Sequence, residues 1–201
     1  MTLHQRIYNK DNLLADLAEV EPFDQKEYLD VESTLRFLQN DPNPFDRKNF
    51  AGHVTGSGFL LSPDRQSVLL THHAALDKWL QFGGHADGEA DIRNVALRET
   101  EEESGKNDIG FLMSSIFDVD VHQIPANRKK SEPRHLHYDI RYLLQASSLG
   151  FAVNHESKAL QWVPLRKLLT MPVSNEMKRM AVKVGLLKLE PNVQLAEPFI
   201  A

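Results

Sequence analysis

The chain has 201 residues, 41% hydrophobic and 25% charged, which suits one globular domain of about 100–200 residues plus an extension and not a disordered chain. It contains no cysteine, so disulfides, thiolate metal sites and cysteine nucleophiles are excluded. A net charge of −5 argues against general nucleic-acid binding, which needs a basic footprint, but not against phosphate chemistry, because bound cations reverse the local charge of a carboxylate site.

The first residues, Met1 to Arg6, lead into a charged segment and not into the apolar stretch of a signal peptide. No apolar run approaches the roughly 18 residues of a membrane span, so a cytoplasmic protein without membrane attachment is the expectation. Residues 1–45 read as a helical extension, with a short helix over 13–20 and a longer one after Asp24-Gln25-Lys26-Glu27, which resembles a capping box. Tyr28, Val31, Leu35 and Leu38 then recur at helical spacing, and Asp41-Pro42-Asn43-Pro44 ends the helix. The second unit, 46–201, has a different texture. Residues 53–61 and 67–71 read as strands around a Ser62-Pro63-Asp64-Arg65 turn, and Gly83-Gly84 breaks the chain. A helix over 91–104 is closed by Gly105. Strands follow at 116–124, 135–145 and 160–163, then a helix over 174–189 capped by Ser174. This order predicts an α/β sandwich with a mixed sheet. No dinucleotide-binding fingerprint is present.

The helix over 91–104 carries the chemistry. At about 100° per residue, Ile92, Val95 and Ala96 form an apolar stripe that Glu99, Glu102 and Glu103 continue, while Glu101 points away. Three carboxylates on a half-buried face repel one another unless hard divalent cations compensate. A solvated acidic helix end is the plainer reading of the same residues.

At this point the sequence resembles the Nudix hydrolase family, whose box is G-x5-E-x7-R-E-U-x-E-E-x-G-U. Gly84, Arg98, Glu99, Glu102, Glu103 and Gly105 match it in type and spacing, and Trp79 to His85 looks like the usual entry to the box. The resemblance spans roughly residues 50–165. It departs where Ala90 replaces the first box glutamate, with Glu89 one position early, and where Thr100 and Lys106 replace aliphatic residues. It implies a Nudix-type α/β/α sandwich with a mixed β-sheet, with Glu99, Glu102 and Glu103 ligating magnesium or manganese and Arg98 orienting a glutamate. Water would attack phosphorus in a pyrophosphate-type substrate such as a nucleoside diphosphate linked to another moiety. Glu156 before the late strand, or a box glutamate such as Glu102 or Glu103, is the candidate general base.

Nine histidines are present, seven of them between His53 and His137. His135, His137, Asp139 and Arg141 alternate with Leu136, Tyr138, Ile140 and Tyr142, so one strand face is polar and the other apolar. With His85, these four are candidate substrate-binding groups bordering the cleft. A solvent-facing strand is the competing reading, and metal ligation by the two histidines is a third. On the cleft reading His137 titrates near its ordinary value and shapes activity between about pH 5.5 and 7.5. His72-His73 flank the box loop, and Asn127-Arg128-Lys129-Lys130 forms a basic run that reads as a loop able to attract an anion. A small-molecule nucleotide or pyrophosphate is thus the expected partner, and a homodimer through residues 1–45 is compatible with the sequence. A Nudix-like module that binds a nucleotide without cleaving it is the alternative that Ala90 leaves open.

Overall fold

The computed structural model describes residues 8–74, 76–127, 131–153 and 157–187. Two helices come first, α1 (Lys10–Ala18) and α2 (Gln25–Asn40). Strands β1 (His53–Leu61), β2 (Ser67–His73), β3 (Lys78–Leu80) and β4 (Phe82–His85) lead to α3 (Ile92–Ser104). Then come β5 (Ile109–Phe111), β6 (Asp118–Ile124), β7 (His135–Ala146) and β8 (Ser157–Pro164), followed by α4 (Leu165–Leu168) and α5 (Asn175–Leu186). No helix among the described residues is long and apolar enough to cross a membrane.

All eight strands form one mixed sheet. Its spine is the parallel pair β1–β7, in register from His53 opposite His137 to Leu61 opposite Gln145. Beyond β1, β4 pairs with its first half and β2 meets its end, at Leu61 opposite Val68. Beyond β7, β6 pairs with the first half and β5 with the last residues. Alternation along the spine sorts side chains to two faces. Val54 and Leu60 of β1 with Tyr138, Ile140, Tyr142 and Leu144 of β7 join a core shared with α1, α2 and α3. Phe59, Leu61 and Leu143 join a second core shared with α4 and α5. Helices therefore cover both faces, as an α/β/α sandwich requires.

The extension shares the first core. Leu13, Leu17, Val31 and Leu38 are buried with the strand residues. Asp24 caps α2 as the sequence predicts, accepting from the Glu27 backbone N–H at 2.8 Å, but the Glu27 carboxylate accepts from Phe23 N–H and not from Asp24. The predicted buried stripe is only partly right: Val31 and Leu38 are buried, Tyr28 is 49% exposed, and Glu27, Asp30 and Thr34 are buried instead. The cause is what α2 covers. It lies along β6, where Glu27 accepts from Val119 N–H at 3.3 Å and the Lys26 ammonium donates to Val121 C=O at 3.4 Å. A strand edge offers bare backbone groups, so the face that meets it is polar.

Three further differences have simple causes. Gly83-Gly84 does not break the chain but runs inside β4. The three-residue β5 and the one-turn α4 are too short to leave a periodic signal. The strand predicted over 135–145 has its polar face buried from Asp139 onward as well as its apolar one, because ion pairs satisfy Asp139 and Arg141.

Candidate active site

β1 presents two glycines to α3. A β-carbon on Gly56 would stand 2.9 Å from Ile92 C=O, and one on Gly58 would stand 2.2 Å from the Thr100 hydroxyl. The helix therefore lies directly on the strand. Gly84 of β4 is paired with Gly56 and faces the same way. A β-carbon there would sit 2.1 Å from Glu99 Oε2, so the missing side chain is the socket in which the Glu99 carboxylate rests. Asp91 caps α3 through Asn94 N–H, and Gly105 closes it at φ +64°.

Arg98 Nη1 lies 2.5 Å from Glu99 Oε1, and its Nη2 lies 4.0 Å from Glu89 Oε2. Glu89 thus reaches the box arginine from the loop although Ala90 occupies the usual glutamate position. Burial pushes the Glu99 carboxyl above its ordinary value; Arg98 opposes this, and Glu102 and Asp87 add to it. Glu102 is exposed, and Glu101 and Glu103 are half-buried. Carboxylate oxygens are the donor type that suits magnesium or manganese, and Glu99, with Glu102 near enough to raise its carboxyl further, is the one the fold seats.

The departures from the box are accommodated. Thr100 is fully buried with its hydroxyl donating to Ala96 C=O at 2.6 Å, and it fits because Gly58 lies opposite. Lys106 is 5% exposed. Its ammonium donates to Ser148 C=O at 3.0 Å and Gly150 C=O at 2.5 Å, and pairs with Asp108 at 2.8 Å. It clamps a loop onto the end of α3. Lys106→Leu should therefore cost about 2 kcal/mol, since the carbonyls and Asp108 lose a charged donor. Urea unfolding measures this, and wild-type stability would refute the clamp.

The predicted polar face exists, and it points away from α3. His135, His137, Asp139 and Arg141 share the side of the sheet opposite the Gly56–Gly84 side. There they divide into two groups. Asp139 is 2% exposed; it accepts from Ser57 at 2.7 Å and Thr55 at 3.0 Å, and receives Arg141 Nε at 2.7 Å. Arg141 also pairs with Asp120 at 2.9 Å and Asp118 at 3.2 Å. Asp118 in turn holds Arg179 of α5 at 2.9 Å, and Asp120 holds Lys26 of α2 at 2.8 Å. Burial alone would raise the Asp120 carboxyl, but His122, Arg141 and Lys26 together hold it well below the usual range. Arg141 is occupied by this chain of ion pairs, so its geometry is that of a structural group.

The histidines form the second group. His53 of β1 faces His137 of β7 at 4.6 Å between ring centres, and His85 of β4 stands 5.1 Å from His53 and 5.2 Å from His137. His135 and His122 complete the cluster at 5.1 and 5.6 Å from His137. Burial and then the surrounding imidazoles, His53 first, push His137 down to about 2; burial and then Arg47 push His85 down to about 4. An imidazole held down in this way departs from the ordinary value that the cleft reading assumes for His137. His72 lies apart, stacked on Trp79 at 5.0 Å and 3.0 Å from Asp77. Glu156 and Arg128 to Lys130 lie outside the described residues. His53, His122, Asp118 and Arg179 were missed from sequence because only strand pairing and helix docking bring them to these partners.

A NUDIX domain family model matches residues 52–183. A protein of Lactococcus lactis subsp. cremoris described as a probable DHNTP pyrophosphohydrolase is 37% identical over 92 residues, covering 46% of this chain and 53% of its own. The chain thus spans about half the length of that relative. Among solved structures, the MutT protein of Methanosarcina mazei Go1 aligns over 68% of this chain and 95% of its own, with a TM-score of 0.51 and 14% identity. The E. coli dihydroneopterin triphosphate pyrophosphohydrolase aligns over 65% and 94%, with a TM-score of 0.51 and 14% identity. These structures share the fold. With the family model matching most of the chain, over the strands and helix just described, the protein belongs to the Nudix family.

Proposed function

We propose that the protein is a divalent-metal-dependent pyrophosphohydrolase that cleaves a phosphoanhydride of a nucleotide-like substrate. The observation that carries this reading is the seating of Glu99 under Gly84, with Arg98 between Glu89 and Glu99 and with Glu102 and Glu103 on the same helix. Magnesium or manganese bound by Glu99, Glu102 and Glu103 would neutralise charge developing on the phosphoryl oxygens. The chain's own part is positioning and proton transfer. Arg98 fixes Glu99 and tethers the box loop through Glu89. Glu102 or Glu103 accepts a proton from the attacking water as its oxygen bonds to phosphorus and the bridging P–O bond breaks. His85, one residue beyond Gly84, lies within the box loop. Asp139 and Arg141 act through the entry strand: Asp139 also receives Gln81 at 3.4 Å, and Ser57 lies against Gly83. The pteridine triphosphate named for the relatives is the first substrate to try.

The test is a phosphate-release screen over dihydroneopterin triphosphate, Ap4A, nucleoside triphosphates and nucleoside diphosphate sugars. At least one should turn over with magnesium, lose all turnover in EDTA and regain it when magnesium or manganese is restored. Undiminished hydrolysis after exhaustive chelation would refute the mechanism. Tight substrate binding with no turnover under any metal would favour the non-cleaving module.

A further inference from the structure

On the face of the sheet away from α3, the ring nitrogens of His53, His85 and His137 lie within 4.8 Å of one another. We propose that these three imidazoles form a second metal site, selective for a borderline divalent transition ion such as zinc and separate from the carboxylates of α3.

Four observations carry it. First, the ligands come from three strands, β1, β4 and β7, and the sheet register points them to one spot: His53 is paired with His137, and His85 with Thr55 two residues further along β1. Second, His53 is 1% exposed and its Nε2 is buried without any hydrogen-bond partner. A buried ring nitrogen without a partner is costly, and a metal ion is a partner it can take. Third, the tautomer is fixed for that purpose. His53 Nδ1 lies 3.3 Å from Asn49 C=O, and a carbonyl only accepts, so Nδ1 carries the proton and Nε2 the lone pair. His135 repeats the arrangement: Nδ1 lies 2.8 Å from Pro133 C=O, and its Nε2 stands 3.2 Å from His137 Nε2, ready to back the site. Fourth, His122 Nδ1 is held by Asp120 at 2.8 Å behind His137, which places a carboxylate–histidine pair at the rim.

The donor chemistry selects the ion. Three neutral imidazoles suit zinc, nickel, copper or cobalt and not magnesium. With Zn–N bonds of about 2.0–2.1 Å, tetrahedral ligand nitrogens sit roughly 3.3 Å apart, so the nitrogen separations need to close by up to about 1.5 Å. Three protein ligands leave a fourth position for water or His135. An ion here staples β4 to the spine β1–β7, one residue from the Gly84 socket and on the other side of the sheet from it.

The test uses the full chain, stripped with a strong chelator and kept in excess magnesium so that carboxylate sites are filled. Titration with zinc should show one tight equivalent and a raised melting temperature. Cobalt in place of zinc should give the intense visible bands of a tetrahedral nitrogen site. His137→Ala and His85→Asn should each weaken zinc binding by about 100-fold; His85→Asn, on a different strand, keeps the test valid if the first variant folds poorly. No zinc uptake, equal uptake by native protein and His85→Asn, displacement of zinc by magnesium, or the weak bands of octahedral cobalt would each overturn the site. The assay does not depend on hydrolysis, so it stands or falls apart from the proposed activity.

Discussion

Arg141→Leu should destabilise the protein by about 3–5 kcal/mol, the cost of leaving buried carboxylates without their cation. Arg141 is 4% exposed and touches Asp139, Asp120 and Asp118, which are all buried. Coulomb repulsion among them rises once the guanidinium goes, and leucine supplies no donor. Asp139 retains Ser57 and Thr55, and Asp118 retains Arg179, which keeps the loss from being larger. Arg141→Lys should recover only part of it, since one ammonium cannot replace a three-way fork. Urea or thermal unfolding reads the effect. Loss of turnover with native stability would instead put Arg141 on the substrate, as the sequence alone suggests.

Glu102→Gln and Glu103→Gln should each reduce turnover by about 100- to 1,000-fold while the fold survives. Each swap removes one charge from the proposed ligand set and almost no volume. Glu101→Gln is the comparison and should change turnover little, because Glu101 belongs to the other side of α3. The measurement is steady-state turnover on whichever substrate the native enzyme hydrolyses, with a melting curve beside it. Native rates in both variants would remove the box glutamates from the reaction.

The helix that bears these glutamates was legible because a local code writes it. Asp91 as cap, Gly105 in the left-handed region and the stripe Ile92, Val95 and Ala96 all act within a few residues. The spacing that matches the family lies in the same stretch. What the sequence hid was pairing. Strand alternation correctly put His135, His137, Asp139 and Arg141 on one face, but alternation says nothing about what covers that face. Here it is covered by α5 and by neighbouring strands carrying opposite charges and further imidazoles. Tyr28 shows the converse failure: hydrophobic periodicity assumes an apolar neighbour, and α2 has a strand edge as its neighbour.

The charged seam joining α2, β6 and α5 bears on how the chain reaches this structure. Lys183 meets Glu27 at 2.7 Å across 156 residues of sequence. At roughly 5–20 residues per second of synthesis, the buried Glu27 waits about 8–30 s for its cation to be made. The parallel spine β1–β7 also joins residues 84 apart, as in Thr55 with Asp139. Contacts of such separation slow folding because the loop must close before they reward it. The α2 side of the seam thus locks only after α5, which supplies Lys183 156 residues later, has been made.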